Sequence, residues 1–351
     1  MTDSLEFRKK IQQEAVDALL SISKGSVDIS MRLGKTKIGL EVASTFKKVL
    51  VSYPNKSIKD SWESDSEKFG ISIEHITFTT HVSLFKHTLR DYDCVILDEI
   101  DQVSMKGFEH LAMFSPLHLY GMSGTMPTKG DKAYYIKKLC PIVYTKTLDE
   151  TTGITNKDYS IVVHLLQPSP TRNIPLSKGR FWSESARIGY FDKKYKETRN
   201  FKIMIQLMQS IAYSDTKYQY ALRLAKQMKR GLLFLEKIEQ CEKSGFPTYH
   251  SQSDTAEQNL EDFQNQKINV LATVSQLKAG ISFPVLNEAI LLHSYSSNNR
   301  SSQKIGRCLQ YAENEVATIH LIVLEGTRDE IWAKEALKAF DQTKIEYVNR
   351  V

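Results

Sequence analysis

"MRLGKT", residues 31–36, decides how the first half of the chain reads. It closes on Gly34-Lys35-Thr36, the end of a phosphate-binding loop, and stands between a β-rich run, "VDIS" (27–30), and a helical one, "KIGLEVASTF" (37–46). Strand, tight loop and helix in that order is the context such a loop requires. A helix N-terminus there offers N–H groups and the positive end of the helix dipole to phosphate. Lys35 would reach the terminal phosphates, and the Thr36 hydroxyl would ligate Mg²⁺. The full eight-residue pattern has a glycine where this chain has Ile29, and Arg32 replaces a residue that is usually small. The tripeptide alone fits the start of a surface helix equally well.

"CVILDEID" (94–101) adds weight. An apolar strand runs into Asp98, Glu99 and Asp101, and burying like charges is costly unless a cation neutralises them. Nucleotide-bound Mg²⁺ is such a cation. In that reading Asp98 holds the metal through its water shell, and Glu99 orients and deprotonates the attacking water. The bland alternative is a solvated acidic loop. Two motifs in the right order, each at the end of a strand, argue against it.

Outward from these motifs the pattern alternates. Residues 5–22 carry apolar positions at helical spacing (Ile11, Ala15, Ala18, Leu19). "KKVLVSYP", "IEHITFTTH" and "LHLYGMSGT" read as strands and "IKDSWESDSEKF" as a helix, which together imply a doubly wound parallel sheet. Pro168, Pro170 and Pro175 suit a boundary. After a helical stretch the α/β rhythm resumes with "GLLFLE", "INVLATV", "NEAILLHS" and "ATIHLIVL", and a helix follows from Arg328. The expected organisation is α/β: a first lobe over 1–165, a linker and basic helical bridge over 166–230, and a second lobe with a C-terminal helix over 231–351.

The totals bound the function. At 351 residues, 41% hydrophobic and 25% charged, the chain reads as globular with two cores. A net charge of +6 permits a polyanionic partner without demanding one. Cys94, Cys140, Cys241 and Cys308 are too scattered for a zinc ribbon or a disulfide scaffold. The N-terminus lacks a signal-peptide core, and no run approaches a membrane span of ~18 apolar residues. A soluble, cytoplasmic protein is expected.

With these residues in view, the chain resembles superfamily 2 helicases and translocases of the DEAD/DEAH-like and Swi/Snf-like branches, over roughly 5–160 and 230–325. The resemblance implies two RecA-like lobes, ATP and Mg²⁺ as cofactors, and hydrolysis at the lobe interface coupled to movement along nucleic acid. DNA is favoured over RNA, and replication, recombination or repair is the setting, with other proteins of those processes as further candidate partners and a phage or bacterial source. It makes Gln12 a reader of adenine, and Pro54, Asn55, Thr79 and Thr80 contacts to the nucleic-acid backbone. "MSGTMP" resembles the motif that couples hydrolysis to strand movement, through Ser123 and Thr125. In the second lobe "YHSQSD" gives Ser251 and "LATVSQLKAGISFP" gives Thr273 and Gly280. "SSQKIGRCLQY" resembles Q-x-x-G-R-x-x-R and gives Gln303, Gly306 and Arg307, the last as an arginine finger.

The departures are Arg32, Ser282 where many relatives have aspartate, and Gln310 where the family has its second arginine. Losing that charge implies slower hydrolysis or a need for activation, and motivates a competing reading, an ATP-gated nucleic-acid clamp with weak turnover. An RNA helicase and a small-molecule kinase are further alternatives, although a second α/β lobe with "QKIGR" speaks against the kinase. Lys178, Arg180, Arg187, Lys193, Lys194, Lys196, Arg199 and Lys202 are interleaved with Phe181, Trp182, Tyr190, Phe191 and Tyr195. Such a mixture suits phosphate contact and base stacking, or else a helical face packed on a lobe.

Overall fold

A computed structural model describes residues 2–30, 33–147, 149–151, 158–175, 180–274, 286–292, 316–338 and 340–350. The chain divides into two compact units, Met1–Asn156 and Lys157–Leu277 with Ser282–Val351. Each is built on one sheet whose strands all pair in parallel. These are the two RecA-like lobes.

In the first unit the strands are β1 (Lys24–Ile29), β2 (Val49–Tyr53), β3 (Ile76–Thr80), β4 (Cys94–Asp98), β5 (His118–Ser123) and β6 (Ile142–Lys146). Their order across the sheet is β3-β2-β4-β5-β1-β6. Strands β2 and β4 are buried along their whole length, as expected of strands covered on both faces, which is why they read as continuous apolar runs. Helices α1 (Thr2–Leu20), α2 (Lys35–Ala43) and α3 (Ser57–Phe69) contribute Ile11, Leu19, Ile38, Val42 and Trp62 to one core. Helices α4 (Met105–Phe114) and α5 (Asp131–Leu139) contribute Phe108, Leu111 and Ile136 to the other.

This strand order sets the site. Strand β5 lies between β1 and β4, with Asp28 in register with Ser123 and Asp98 with Met122. The loop after β1, the end of β5 and the acids ending β4 therefore meet along one edge, where ligands of open α/β sheets bind.

The second unit differs from expectation in three ways. Its sheet takes in β7 (Asp158–Leu166), so the division falls near 156 rather than 165. Its order is β11-β12-β10-β13-β14-β7-β15, comprising β10 (Gly231–Leu235), β11 (Thr248–Tyr249), β12 (Val270–Val274), β13 (Glu288–Leu291), β14 (Val316–Leu324) and β15 (Ile345–Arg350). The closing strand β15, in a stretch expected to end as helix, pairs with β7 from Ile345↔Ile161 to Arg350↔Leu166. Finally, the expected bridge is cladding. Helices α6 (Glu184–Thr198), α7 (Phe201–Ala212) and α8 (Asp215–Ala225) bury Ile188, Leu207, Ile211 and Ala221 in one core with Leu233, Ile290 and Ile322. The apolar stripe of α7 needs that cover, and a free-standing bridge would leave it in water.

Candidate nucleotide site

Gly34 precedes α2 with φ 84° and ψ 48°, in the left-handed region. A Cβ there would collide with Gln12 Nε2, so both the backbone and the space select glycine. The first turn of α2 carries no side-chain cap, and its N–H groups and dipole point toward the loop. Lys35 opens the helix, and its Nζ lies 3.6 Å from Glu99 Oε1 with both side chains mostly buried.

Glu99 has φ 55° and ψ 57°, a conformation unfavourable for a residue with a long side chain. That turn redirects the chain after β4 and places three acids close together. Burial first, then repulsion from Glu99, pushes Asp98 up to about 6, although a hydrogen bond from Trp62 Nε1 to Asp98 Oδ2 (2.9 Å) and the nearby Lys35 work the other way. Asp101 is pushed up to about 6 for the same two leading reasons. Asp28, at the end of β1, is also raised by burial, against the pull of Lys35. Lys35 thus faces several carboxylates, an excess of negative charge that a further cation would offset.

Ser123 ties the turn together. Its hydroxyl donates to Asp101 Oδ1 at 2.7 Å and accepts from the Thr125 N–H at 3.0 Å. Lys132 donates to the Asp101 carbonyl at 2.7 Å. His81, just beyond Thr79 and Thr80, is buried and pushed down to about 4 by that burial. It is therefore neutral at pH 7. Its Nε2 lies 3.3 Å from the Glu99 carbonyl and its Nδ1 2.8 Å from Ser52 Oγ. The carbonyl can only accept, so Nε2 carries the proton and Nδ1 accepts from Ser52.

The structure thus brings together Gly34, Lys35, Thr36, Asp98, Glu99, Ser123 and Thr125 on one edge of the first sheet. The other expected residues among those described have surroundings of their own. Gln12 is buried, and its carboxamide faces the loop: Nε2 donates to the Leu33 carbonyl at 2.8 Å and Oε1 accepts from Lys37 at 3.0 Å. Thr79 is buried, whereas Thr80 is half-buried, Pro54 half-buried and Asn55 exposed. Thr273 is fully buried, and its hydroxyl donates to the Tyr249 carbonyl at 2.9 Å. It secures β12 to β11 and presents no polar group to a strand; Ser251 nearby is exposed. Arg32, Gly280, Ser282, Gln303, Gly306, Arg307 and Gln310 lie outside the described residues. Sequence reasoning missed Asp28, Lys132, His81 and the partner that Asp101 offers Ser123. Only the third acid of "DEID" signalled any of them.

The residues suit Mg²⁺ and a nucleoside triphosphate. The donors are hard carboxylate and hydroxyl oxygens, and a loop shaped by a left-handed glycine leads into an uncapped helix. Among the described residues no group of three or more His, Cys, Asp or Glu is arranged to hold a metal alone. Mg²⁺ is usually held by one or two carboxylates together with substrate phosphates and water. Among the described residues no helix is long and apolar enough to cross a membrane.

No protein-family model matches the chain. It is 24% identical over 369 residues to the DNA 3'-5' translocase XPB2 of Sulfurisphaera tokodaii, an alignment covering 93% of this chain and 83% of that one. In fold it is similar to the ATP-dependent Type ISP restriction-modification enzyme LlaBIII bound to DNA, with a TM-score of 0.63 at 13% identity. That match covers 97% of this chain but only 31% of the much longer enzyme. The Pyrococcus furiosus Hef helicase domain matches with a TM-score of 0.51 and 15% identity, over 95% of this chain and 98% of that domain. The chain therefore shares its fold with these solved structures, in two α/β units each built on a parallel sheet.

Proposed function

We propose that this chain is an ATP-dependent motor that moves along or remodels DNA, in replication, recombination or repair. The observation that carries the reading is the pairing of Lys35 with Glu99 beside buried Asp98 at the end of β4. A lysine at the mouth of a phosphate loop holds the carboxylate that would activate water. When Lys35 exchanges that carboxylate for a phosphate oxygen, Glu99 is released to take the proton of the attacking water. Asp98 and Thr36 would hold Mg²⁺, which supplies charge stabilisation on the transferring phosphoryl group. The likeness to a DNA translocase along nearly the whole chain supports the choice of DNA.

Helix α6 supports a polyanionic partner. Lys193, Lys194 and Tyr190 are exposed on it, as are Arg199 at its C-terminal end and Phe181 just before it. Of the acids nearby, Asp192 pairs with Lys196 and Arg328, Glu184 is buried, and Glu197 is exposed. Lys193, Lys194 and Arg199 thus outnumber Glu197, and the helix keeps an excess of positive charge. Arg307, Gln303 and Gly280 belong to the proposal through their motifs, as do Pro54, Asn55, Thr80 and Ser251 for the strand. Gln310, in place of a second arginine, favours one competing reading, a clamp that binds and closes but turns over slowly.

Lys35→Ala should abolish hydrolysis and weaken ATP binding. Glu99→Gln should abolish hydrolysis and leave ATP binding intact. Steady-state phosphate release and a fluorescent ATP analogue measure the two. Wild-type turnover in either variant would remove the site assignment.

A further inference from the structure

Trp62 is fully buried in the middle of α3, and its indole N–H is 2.9 Å from Asp98 Oδ2. The ring is held on three sides. A Cβ at Gly39 of α2 would lie 2.5 Å from Trp62 Cη2 and 2.8 Å from Cζ2, so the helix carrying Lys35 and Thr36 presses directly on it. Phe78 of β3 meets it edge-on, with ring centroids 6.0 Å apart at 73°. Its donor is aimed at the end of β4.

We propose that Trp62 is the positioning residue for the Asp98 carboxylate, fixing its rotamer while leaving its charge available to a metal. The proposal rests on the nucleotide-site reading above. A buried carboxylate needs a hydrogen-bond donor, and the identity of the donor matters. A lysine or arginine at this place would neutralise Asp98 and compete with the cation. An indole N–H is a directional donor with no acceptor capacity and no titratable charge. It orients one oxygen and leaves the full negative charge in the site. Because the same ring, with Met122 beside it, fills the space left by the missing side chain of Gly39, a rigid aromatic stands between the phosphate-loop helix and Asp98. Thr36 and Asp98, the two expected Mg²⁺ holders, are thereby spaced by Trp62. Preorganisation of this kind is what a metal site needs from its surroundings.

The bond is testable without turnover. The chain has three tryptophans, Trp62, Trp182 and Trp332, so a ¹⁵N-labelled sample gives three indole N–H signals, and Trp62→Phe identifies one by its loss. In nucleotide-free protein that signal should move in Asp98→Asn, while the other two stay in place. Next, the Mg²⁺ concentration for half-maximal binding of a fluorescent ATP analogue is measured in wild type, Trp62→Phe, Asp98→Asn and the double variant. Losing a hydrogen bond to a charged group should raise it by about tenfold or more in Trp62→Phe. In the Asp98→Asn background the same substitution should have little further effect. A general weakening of the fold would instead act equally in both backgrounds. An unmoved indole signal, or effects of the two substitutions that simply multiply, would overturn the proposal. Absence of Mg²⁺-dependent nucleotide binding in wild type, with the indole signal still moving, would instead sink the nucleotide reading and leave the Trp62–Asp98 bond as architecture.

Discussion

Asp98→Asn should stabilise the nucleotide-free protein, and the size of the gain follows from the buried acid. The carboxyl is raised from an ordinary 3.8 to about 6, by burial first and Glu99 second. A folded-state pKa above the unfolded one means that the folded state holds the proton more tightly. Stability from that proton is complete below about pH 4 and is lost as pH rises through about 6. By pH 8 the ionised carboxylate lowers stability by about 3 kcal/mol, at about 1.4 kcal/mol per pH unit of difference. Asparagine has nearly the same shape, and its carbonyl oxygen can still accept from Trp62. Its new NH₂ donors offset a third or more of the gain, since an unmet buried donor costs about 1–3 kcal/mol. The expected net is up to about 2 kcal/mol of stabilisation at pH 8, as much as several degrees in Tm for a unit of this size, shrinking to nothing or reversing near pH 4.5. Thermal denaturation at the two pH values, free of Mg²⁺ and nucleotide, measures it. With Mg²⁺ and ADP added at pH 8 the order should invert, because only wild type keeps the charge that holds the metal. A variant less stable than wild type by the same margin at both pH values would refute the reasoning.

Gly34→Ala should lower nucleotide affinity by tenfold or more, because φ 84° strains the new side chain by about 1–2 kcal/mol and its Cβ would strike Gln12. Wild-type affinity would show that the loop geometry is not what the nucleotide uses. Lys217→Met should destabilise the second unit by about 3–5 kcal/mol in urea, since Lys217 Nζ and Asp329 Oδ2 pair at 2.6 Å with both side chains fully buried. Adding Asp329→Asn should recover part of the loss; a loss as large in the double variant as in the two singles summed would mean that the pair itself is not the cause.

Much of the site was legible because its residue types break local rules. Acids at the end of an apolar strand and a Gly-Lys-Thr before a helix are costly unless a ligand is meant to be there, so Lys35, Asp98 and Glu99 could be read directly. What could not be read depends on long-range packing. Trp62 lies 36 residues from Asp98 and Gln12 lies 21 from Leu33, and no local pattern pairs them. Thr273 matched a motif, yet its hydroxyl was taken by the neighbouring strand, a choice that the turn of the backbone makes. The domain boundary moved for a similar reason. "DYSIVVHLL" is as β-rich as any strand of the first sheet, and only pairing with β14 and β15 assigns it to the second. Likewise "IEYVNR" alternates over too few residues to stand out, and becomes a strand because β7 offers it an edge.

The most direct test of the motor reading is steady-state ATPase at low salt, alone and with single-stranded DNA, duplex DNA, a branched junction and RNA of matched length. The expected result is turnover that rises several-fold or more with at least one DNA, more than with RNA, and disappears in Glu99→Gln. ATP binding with no turnover on any of the four would contradict a motor and leave the clamp.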